Sequence, residues 1–454
     1  MQKASKNVSA LWFLLFVLVS AAGYGLAGYY WSRTQAGELI LTFGGLFLLY
    51  GWVISQKWTE TQTQRWLWVA VGFRFLLLFS VPALSDDYFR FIWDGRLLSG
   101  GYNPYLYLPS DLITSPLAAE AHLSEALFQG LNSPDYFTVY PPLNQWMFGF
   151  SAWIAGDNVL WNIVALRAFI VMAELGSIWL LTTFRFPEYK TKEMRSAVLI
   201  YALNPFVIIE LTGNLHFEAV TLFFVLLAVR WIDRPLQGDR YSIGSAVALA
   251  LGAAVKLVPL IFLPLVVKRL GFRKGLLYCV VTGTVVLALF APFLSRELMV
   301  NFGTSLDLYF QKFEFNASFY YLLRQVGYWL TGYNIIHVLG PLLSLVTLGC
   351  MAVVAFQRRP FTEKMLLVLT VYFLCATTVH PWYITTLVAL GALSRRWYPI
   401  VWSALLPLTY VAYAAQPYRE NLRIVALEYI LVIGCLAYEL FLKGVDWEAA
   451  RKNP

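Results

Sequence analysis

Apolar runs of roughly membrane-spanning length recur along the whole chain, separated by short polar breaks. Runs near 11–30, 38–55, 66–84, 161–183, 196–213, 216–232, 241–255, 257–268, 275–294, 336–356, 364–379, 382–394, 397–415 and 422–442 predict spanning helices. They must be helices, because backbone groups in lipid find no water to bond. The expectation is an all-α polytopic membrane protein, a bundle of about 12–14 transmembrane helices forming one membrane-embedded domain over residues 1–454. The first run follows Lys3 and Lys6, and Tyr29-Tyr30-Trp31 is no small-residue cleavage site, so it reads as a retained anchor. The apolar segment 143–157 is expected to be re-entrant, interfacial or a displaced hairpin arm.

The polar breaks supply the orientation. Basic clusters at Lys3/Lys6, Lys57/Arg65, Arg185/Lys190/Lys192/Arg195, Arg230/Arg234/Arg240, Lys268/Arg269/Arg273/Lys274, Arg358/Arg359/Lys364, Arg395/Arg396 and Lys443/Arg451/Lys452 fall on one side if 143–157 does not cross. That side is the cytoplasm by the positive-inside rule. The outer side then receives the 85–142 loop, the Asn204–Glu218 turn, the 295–335 loop, His380-Pro381-Trp382-Tyr383 and Gln416-Pro417-Tyr418-Arg419-Glu420. The reading is a multi-pass protein of a bacterial inner membrane with its site facing outward.

The 85–142 loop is too long for a simple connector. A helix over Asp86–Gly100 would lie on the membrane surface, with Asp86, Asp87, Arg90 and Asp94 on one arc and Phe89, Ile92 and Trp93 elsewhere. Gly100-Gly101-Tyr102-Asn103-Pro104-Tyr105 breaks it, and a second helical stretch near Leu117–Leu131 precedes Tyr140-Pro141-Pro142.

Composition narrows the function classes. Only 13% of the 454 residues are charged and 59% are hydrophobic, against about 25% charged in soluble domains. The formal net charge of +8 is scattered over loops and forms no nucleic-acid stripe, so no nucleic-acid partner is expected. The four cysteines lie inside apolar runs without metal spacing.

Asp86-Asp87, at the edge of an apolar run, suits a general base, an oxygen-ligand site for a divalent cation, or the N-terminal cap of the following helix. Asn204-Pro205 and Glu210-Leu-Thr-Gly-Asn214-Leu-His216-Phe-Glu218 make a second constellation. Asn214, His216 and Glu218 suit sugar hydroxyls or phosphate; the plain alternative is a polar knot around a broken backbone. Lys256 in Lys256-Leu-Val-Pro259 can pair with a carboxylate, meet a lipid phosphate or snorkel. His380 and Tyr383 combine a titratable donor with an amphipathic ring, or form an aromatic-belt turn. Lys312, Arg324, Arg419 and Arg423 are candidates to neutralise an anionic leaving group.

These motifs together resemble the membrane-embedded C-type glycosyltransferases, in particular the polyprenyl-phosphate-mannose-dependent group around glycosyltransferase family 87. The resemblance runs through Asp86-Asp87-x-x-Arg90-x-x-Trp93-Asp94-Gly95-Arg96, Gly101-x-Asn103-Pro104-Tyr105 and Asn132-x-Pro134-x-x-Phe137-Thr138-x-Tyr140-Pro141-Pro142. It continues in Asn204-Pro205, Asn214-x-His216-x-Glu218, Lys256-x-x-Pro259 and His380-Pro381-Trp382-Tyr383. It implies inverting transfer of a hexose, most often mannose, from a polyprenyl-phosphate carrier to a hydroxyl of a lipid or glycan acceptor. It implies an acidic base, assigned to Asp87 or Asp86 with Asp87 preferred. Arg90, Asp94, Tyr140, Asn214, His216, Glu218, Lys256, Arg324, His380 and Tyr383 become the substrate-binding set. No cofactor beyond a divalent metal on Asp86 and Asp87 enters the expectation. The chain departs from the family pattern in having three runs, not one, before the acidic loop, and in lacking a large soluble C-terminal domain.

A transporter or flippase of lipid-linked saccharides is the rival from another class. It requires charged residues facing a central cavity within the helices, for which Arg74, Arg167, Glu174 and Lys256 are candidates.

Overall fold

The computed structural model describes residues 10–184, 191–232, 239–311, 313–415 and 417–442. Lys3, Lys6, Arg185, Lys190, Arg234, Lys312, Gln416, Lys443, Arg451 and Lys452 lie outside them. Among the described residues the secondary structure is helical, apart from an isolated parallel bridge between Phe315 and Thr378. The chain is an all-α polytopic membrane protein. Among the described residues six helices are long and apolar enough to cross a membrane: Ala10–Tyr29, Ala36–Ser55, Val159–Thr183, Phe272–Phe293, Ile336–Phe356 and Leu422–Phe441. A seventh crossing is added if the broken pair Pro205–Gly213 and Glu218–Ile232 counts as one.

Other apolar runs form shorter or broken helices, and the breaks have a local cause. Several runs contain helix-interrupting chemistry. The 257–268 run carries Pro259 and Pro264 and becomes a tight turn, Val258–Phe262, followed by the short helix Leu263–Leu270. The 397–415 run, with Pro399 and Pro407, divides into Tyr398–Leu405, Leu406–Tyr410 and Val411–Ala414. At 196–213 the break is Asn204-Pro205: the Asn204 side chain accepts from the amides of Phe206 and Val207, and Pro205 opens a new helix.

The chain forms two compact units. The first comprises 1–80, 178–213 and 380–454. Within it, Ala10–Tyr29 packs on Ala36–Ser55 and Glu60–Leu76, and Tyr398–Leu405 packs on Leu422–Ala437. Two of its buried polar side chains brace the chain from within. Arg74 donates to the carbonyls of Ala70 and Ala202 at 2.9 and 2.8 Å, and Asn204 donates to Ser403 at 3.0 Å. Arg74 thus acts as a cross-brace for two chain segments, in contrast to the cavity-lining role a transporter would give it.

The second unit comprises 81–177 and 214–379. The expected 86–100 helix forms as Asp87–Ser99, yet Tyr88, Arg90–Leu97 are buried on every face, so this is a core helix and not one lying on a surface. It packs along Pro142–Ala155. That 14-residue helix is about 21 Å long, short of a hydrocarbon core of about 30 Å. Glycine makes the close approach possible: a Cβ on Gly95 would stand 2.4 Å from the Phe148 carbonyl oxygen. Glu218–Ile232 packs on Asp239–Val255, which also packs on Pro142–Ala155. The stretch expected near 117–131 is two short helices, Pro116–Glu120 and Glu125–Gln129.

The Gly101-x-Asn103-Pro104-Tyr105 motif is architectural. Asn103 accepts from the Tyr105 amide and donates to the Phe293 carbonyl at 3.0 Å, while Asn301 donates to the Tyr105 carbonyl at 3.0 Å. Tyr105 is fully buried beside Phe293 and Leu298, and its hydroxyl donates to the Tyr140 carbonyl at 2.7 Å. The 85–142 segment is thereby fastened to the 290–302 segment.

Candidate active site

Four titratable residues of the second unit, Asp87, His216, Glu218 and Lys256, gather around the start of the Asp87–Ser99 helix. Asp86 occupies the N-cap position but makes no side-chain capping bond; the Asp87 amide instead donates to the Ser85 hydroxyl at 3.3 Å. The cap reading therefore leaves the Asp87 carboxylate unexplained. Its Oδ1 accepts from Asn132 Nδ2 at 2.9 Å. Desolvation by surrounding side chains pushes the Asp87 carboxyl above its ordinary range. His216, the Asn132 bond and Lys256 act in the opposite direction, and Glu218 adds to the rise. His216, Glu218 and Lys256 thus lie close enough to act on the Asp87 carboxyl.

Each is placed by local chemistry. Leu215 adopts φ of +62° between Asn214 and His216, a conformation uncommon for a branched residue and one that concentrates at functional sites. The Asn214 Oδ1 accepts from the Leu84 amide at 3.1 Å, tying this turn to the segment leading into Asp86. His216 is buried, and Glu218 follows as the first residue of Glu218–Ile232. Glu218 is ion-paired with Lys256, which stands just past the end of Asp239–Val255. Asn144 Nδ2 donates to the Val255 carbonyl at 2.7 Å, fixing the chain at the residue before Lys256.

The remaining predicted residues divide by geometry. Arg90 and Asp94 are brought close to one another but are occupied structurally. Arg90 Nε donates to Asp94 Oδ1 at 2.8 Å, and its NH1 donates to the carbonyls of Ser133 and Tyr136 at 3.4 and 2.9 Å. Gln145 donates to Asp94 Oδ2 at 3.0 Å and to Thr138 at 3.1 Å. This network holds the 132–138 segment, and with it Asn132, against the Asp87 helix. Asn214 likewise serves the backbone. The ring of Tyr140 packs on Phe91 and Phe148. Arg324 belongs to a different cluster: it pairs with Glu314, which also accepts from Tyr320 and Asn334. His380 and Tyr383 lie in the first unit, where the His380 ring stacks on Trp382 with centroids 4.7 Å apart.

Asn132 is the residue of the site that carries no role in the motif reading. Its signal is weak, an Asn-Ser-Pro turn that reads as ordinary loop chemistry. Among the described residues no three His, Cys, Asp or Glu side chains gather as a metal-holding group. The chemistry on hand is a carboxylate of raised proton affinity, a buried imidazole and a carboxylate–ammonium pair. That set can remove a proton from a hydroxyl and offer positive charge to an anion.

Comparison with known proteins places this arrangement in context. An alpha-(1->6)-mannopyranosyltransferase A of Corynebacterium glutamicum is 26% identical over 195 residues, covering 42% of this chain and 36% of that protein. The alpha-(1->6)-mannopyranosyltransferase A of Mycobacterium tuberculosis is 27% identical over 286 residues, covering 57% of this chain and 52% of that protein. An alpha-(1->6)-mannopyranosyltransferase B of Corynebacterium glutamicum is 22% identical over 312 residues, covering 62% and 50%. The chain spans about half, or less, of the length of these relatives. No solved structure matches it. The family described as alpha-(1->6)-mannopyranosyltransferase, N-terminal domain, matches residues 17–271, a stretch that holds Asp86, Asp87, Asn132, His216, Glu218 and Lys256. With more than half of its length matched, the chain belongs to the alpha-(1->6)-mannopyranosyltransferase N-terminal-domain family.

Proposed function

We propose that the protein is an inverting mannosyltransferase that moves mannose from a polyprenyl-phosphate carrier to a hydroxyl of a lipid or glycan acceptor. The names of its relatives bring an α-(1→6) linkage, so the acceptor oxygen in this reading is a sugar 6-hydroxyl. The observation that carries the reading is the Asp87 carboxylate, held by Asn132 beside His216 and the Glu218–Lys256 pair.

Asp87 takes the proton of the acceptor hydroxyl as its oxygen attacks the anomeric carbon. The bond from that carbon to the carrier phosphate breaks from the opposite face, which inverts the centre. Charge develops on the departing polyprenyl phosphate, and Lys256 is the cation beside the base that can meet it. His216 and Glu218 line the donor side. Asp86 sits one position earlier and is the second choice for the base. The chain has no Gly-rich phosphate loop for a nucleotide sugar, which favours a lipid-linked donor. In this reading the site faces outward from a bacterial inner membrane, with the 85–142 and 295–335 segments external.

The test uses the purified chain in nanodiscs with radiolabelled polyprenyl-phosphate mannose and a mannose-containing lipid and glycan extract. Label should move to a new product in the wild type and stop moving in Asp87→Asn while the variant stays folded. A chelator arm decides whether a divalent cation on Asp86 and Asp87 takes part. Near-normal turnover by both Asp87→Asn and Asp86→Asn would sink the base assignment. Folded wild type that moves no polyprenyl-linked hexose would sink the donor.

A further inference from the structure

A second concentration of charge in the second unit stands apart from the candidate site. Windows 268–274 and 358–364 hold Lys268, Arg269, Arg273, Lys274, Arg358, Arg359 and Lys364 against a single carboxylate, Glu363. Glu363 is buried and its Oε1 accepts from Arg359 at 2.7 Å. The fold brings the two windows together, since Leu263–Leu270 packs on Phe272–Phe290, Ile336–Phe356 and Phe361–Cys375. Lys268 Nζ lies 4.2 Å from the centroid of Phe356, and Arg269 Cζ lies 4.8 Å from that of Phe361. Lys364 donates to the Ala355 carbonyl at 2.9 Å, and Lys268 and Arg269 both bear repulsively on its charge.

Orientation signalling alone does not require this convergence. The positive-inside rule needs cations near the ends of spans and is served equally well by charges spread apart. Here Lys268 and Arg269 are both held near Lys364 and each is laid on an aromatic ring. Like charges held together gain from an anion between them. The setting says which kind. The cluster lies at the ends of two helices long and apolar enough to cross a membrane, Phe272–Phe293 and Ile336–Phe356, and the ends of such spans meet the lipid headgroups. Phe272, Leu276, Val353 and Phe356 beside it are large apolar side chains left exposed on those helices. A ligand that fits carries a phosphate for the cations and acyl chains for the apolar faces.

We propose that this corner binds the phosphate of an anionic phospholipid, with Lys268, Arg269 and Lys364 as its cradle. The site is distinct from the one at Asp87. From Lys256 the chain passes through the turn Val258–Phe262 into the helix Leu263–Leu270, whose last turn carries Lys268 and Arg269. The proposal stands whatever sugar the site transfers.

The experiment places the purified chain in nanodiscs of phosphatidylcholine, with and without phosphatidylglycerol. It reads thermal stability and the lipid that survives in native mass spectra. Phosphatidylglycerol should be retained by the wild type and raise its melting temperature. Lys268→Gln/Lys364→Gln should lose both effects, with retention falling about fivefold per charge removed. Lys268→Arg/Lys364→Arg should keep them. Equal retention by wild type and the Gln variant overturns the proposal, as does equal stabilisation by inorganic phosphate in pure phosphatidylcholine discs. Should the Gln variant not fold, a salt series on the wild type decides: retention that falls with salt supports the site, and retention independent of salt overturns it.

Discussion

At the scale of single residues, the Asp87 carboxyl couples stability to activity. Its proton affinity is raised in the folded state, so the ionised form costs folding free energy. The stability it contributes is present below the unfolded carboxylate pKa and is lost as pH rises through the folded one. Asp87→Asn, which abolishes the negative charge, should therefore melt at or above the wild-type temperature at neutral pH while losing 10²-fold or more of its turnover, about the weight of a general base. A drop in melting temperature would mean that the carboxylate is a structural group. The pH profile tests the partner. Because Asn132 lowers the pKa of Asp87, Asn132→Ala should raise it further and move the acidic limb of log kcat/KM to higher pH. Arg90 behaves differently. It is buried, paired to Asp94 and bonded to two carbonyls, so Arg90→Ala leaves a buried carboxylate uncompensated and should cost about 3–5 kcal/mol in denaturation experiments. These contrasts explain what the sequence could and could not reveal. Asp86-Asp87 stands out because carboxylates at the edge of an apolar run are rare. The same motif presents Arg90 and Asp94 as equal candidates, and only the positions of Ser133, Tyr136 and Gln145, up to 55 residues away in the chain from Arg90, turn them into a brace.

At the scale of elements, the site depends on two helices that touch backbone to backbone. Asp87–Ser99 carries the carboxylate, Pro142–Ala155 carries Asn144 and Gln145, and Gly95 is the residue that lets them meet. A methyl at Gly95 would run into the Phe148 carbonyl, which cannot rotate away as a side-chain end would. Gly95→Ala should cost about 1–3 kcal/mol despite its gain in helix propensity, and should lower turnover by displacing Asn144 and Gln145. Gly44→Ala is the matched control. It lies in Ala36–Ser55, where an added Cβ meets nothing within 4 Å, so it should be neutral or stabilising by up to about 1 kcal/mol in the same assay. The Asp87–Ser99 helix was legible from its boundaries, with acidic residues at its start and Gly100-Gly101 after its end. Its burial was not, because Arg90, Asp94 and Arg96 are charged residues that amphipathic reasoning sends to a surface. They are buried here through hydrogen bonds to each other and to the carbonyls of His122, Ser133, Tyr136 and Asp157.

At the scale of the whole molecule, apolar content identifies a polytopic membrane protein, but it does not say which apolar runs form single long helices. Pro259, Pro264, Pro399 and Pro407 lie in runs that are apolar enough to span and too interrupted to do so as single helices. A hydropathy window averages over such breaks; a backbone does not. The number of crossings matters because it decides which face each loop occupies, and the proposed donor demands one answer. A polyprenyl-linked sugar used outside the cell requires the 85–142 segment and the 268–274 basic turn to lie on opposite sides. In a background with Cys279, Cys350, Cys375 and Cys435 replaced, a single cysteine at Asp135 should react with a membrane-impermeant maleimide in intact spheroplasts. One at Arg358 should react only after permeabilisation. Both positions are exposed, so access to water is not in question and only sidedness is read. The reverse pattern would put Asp87 on the side that holds nucleotide sugars and remove the reason for a lipid-linked donor. It would leave the family membership and the Asp87–Asn132 geometry as they stand.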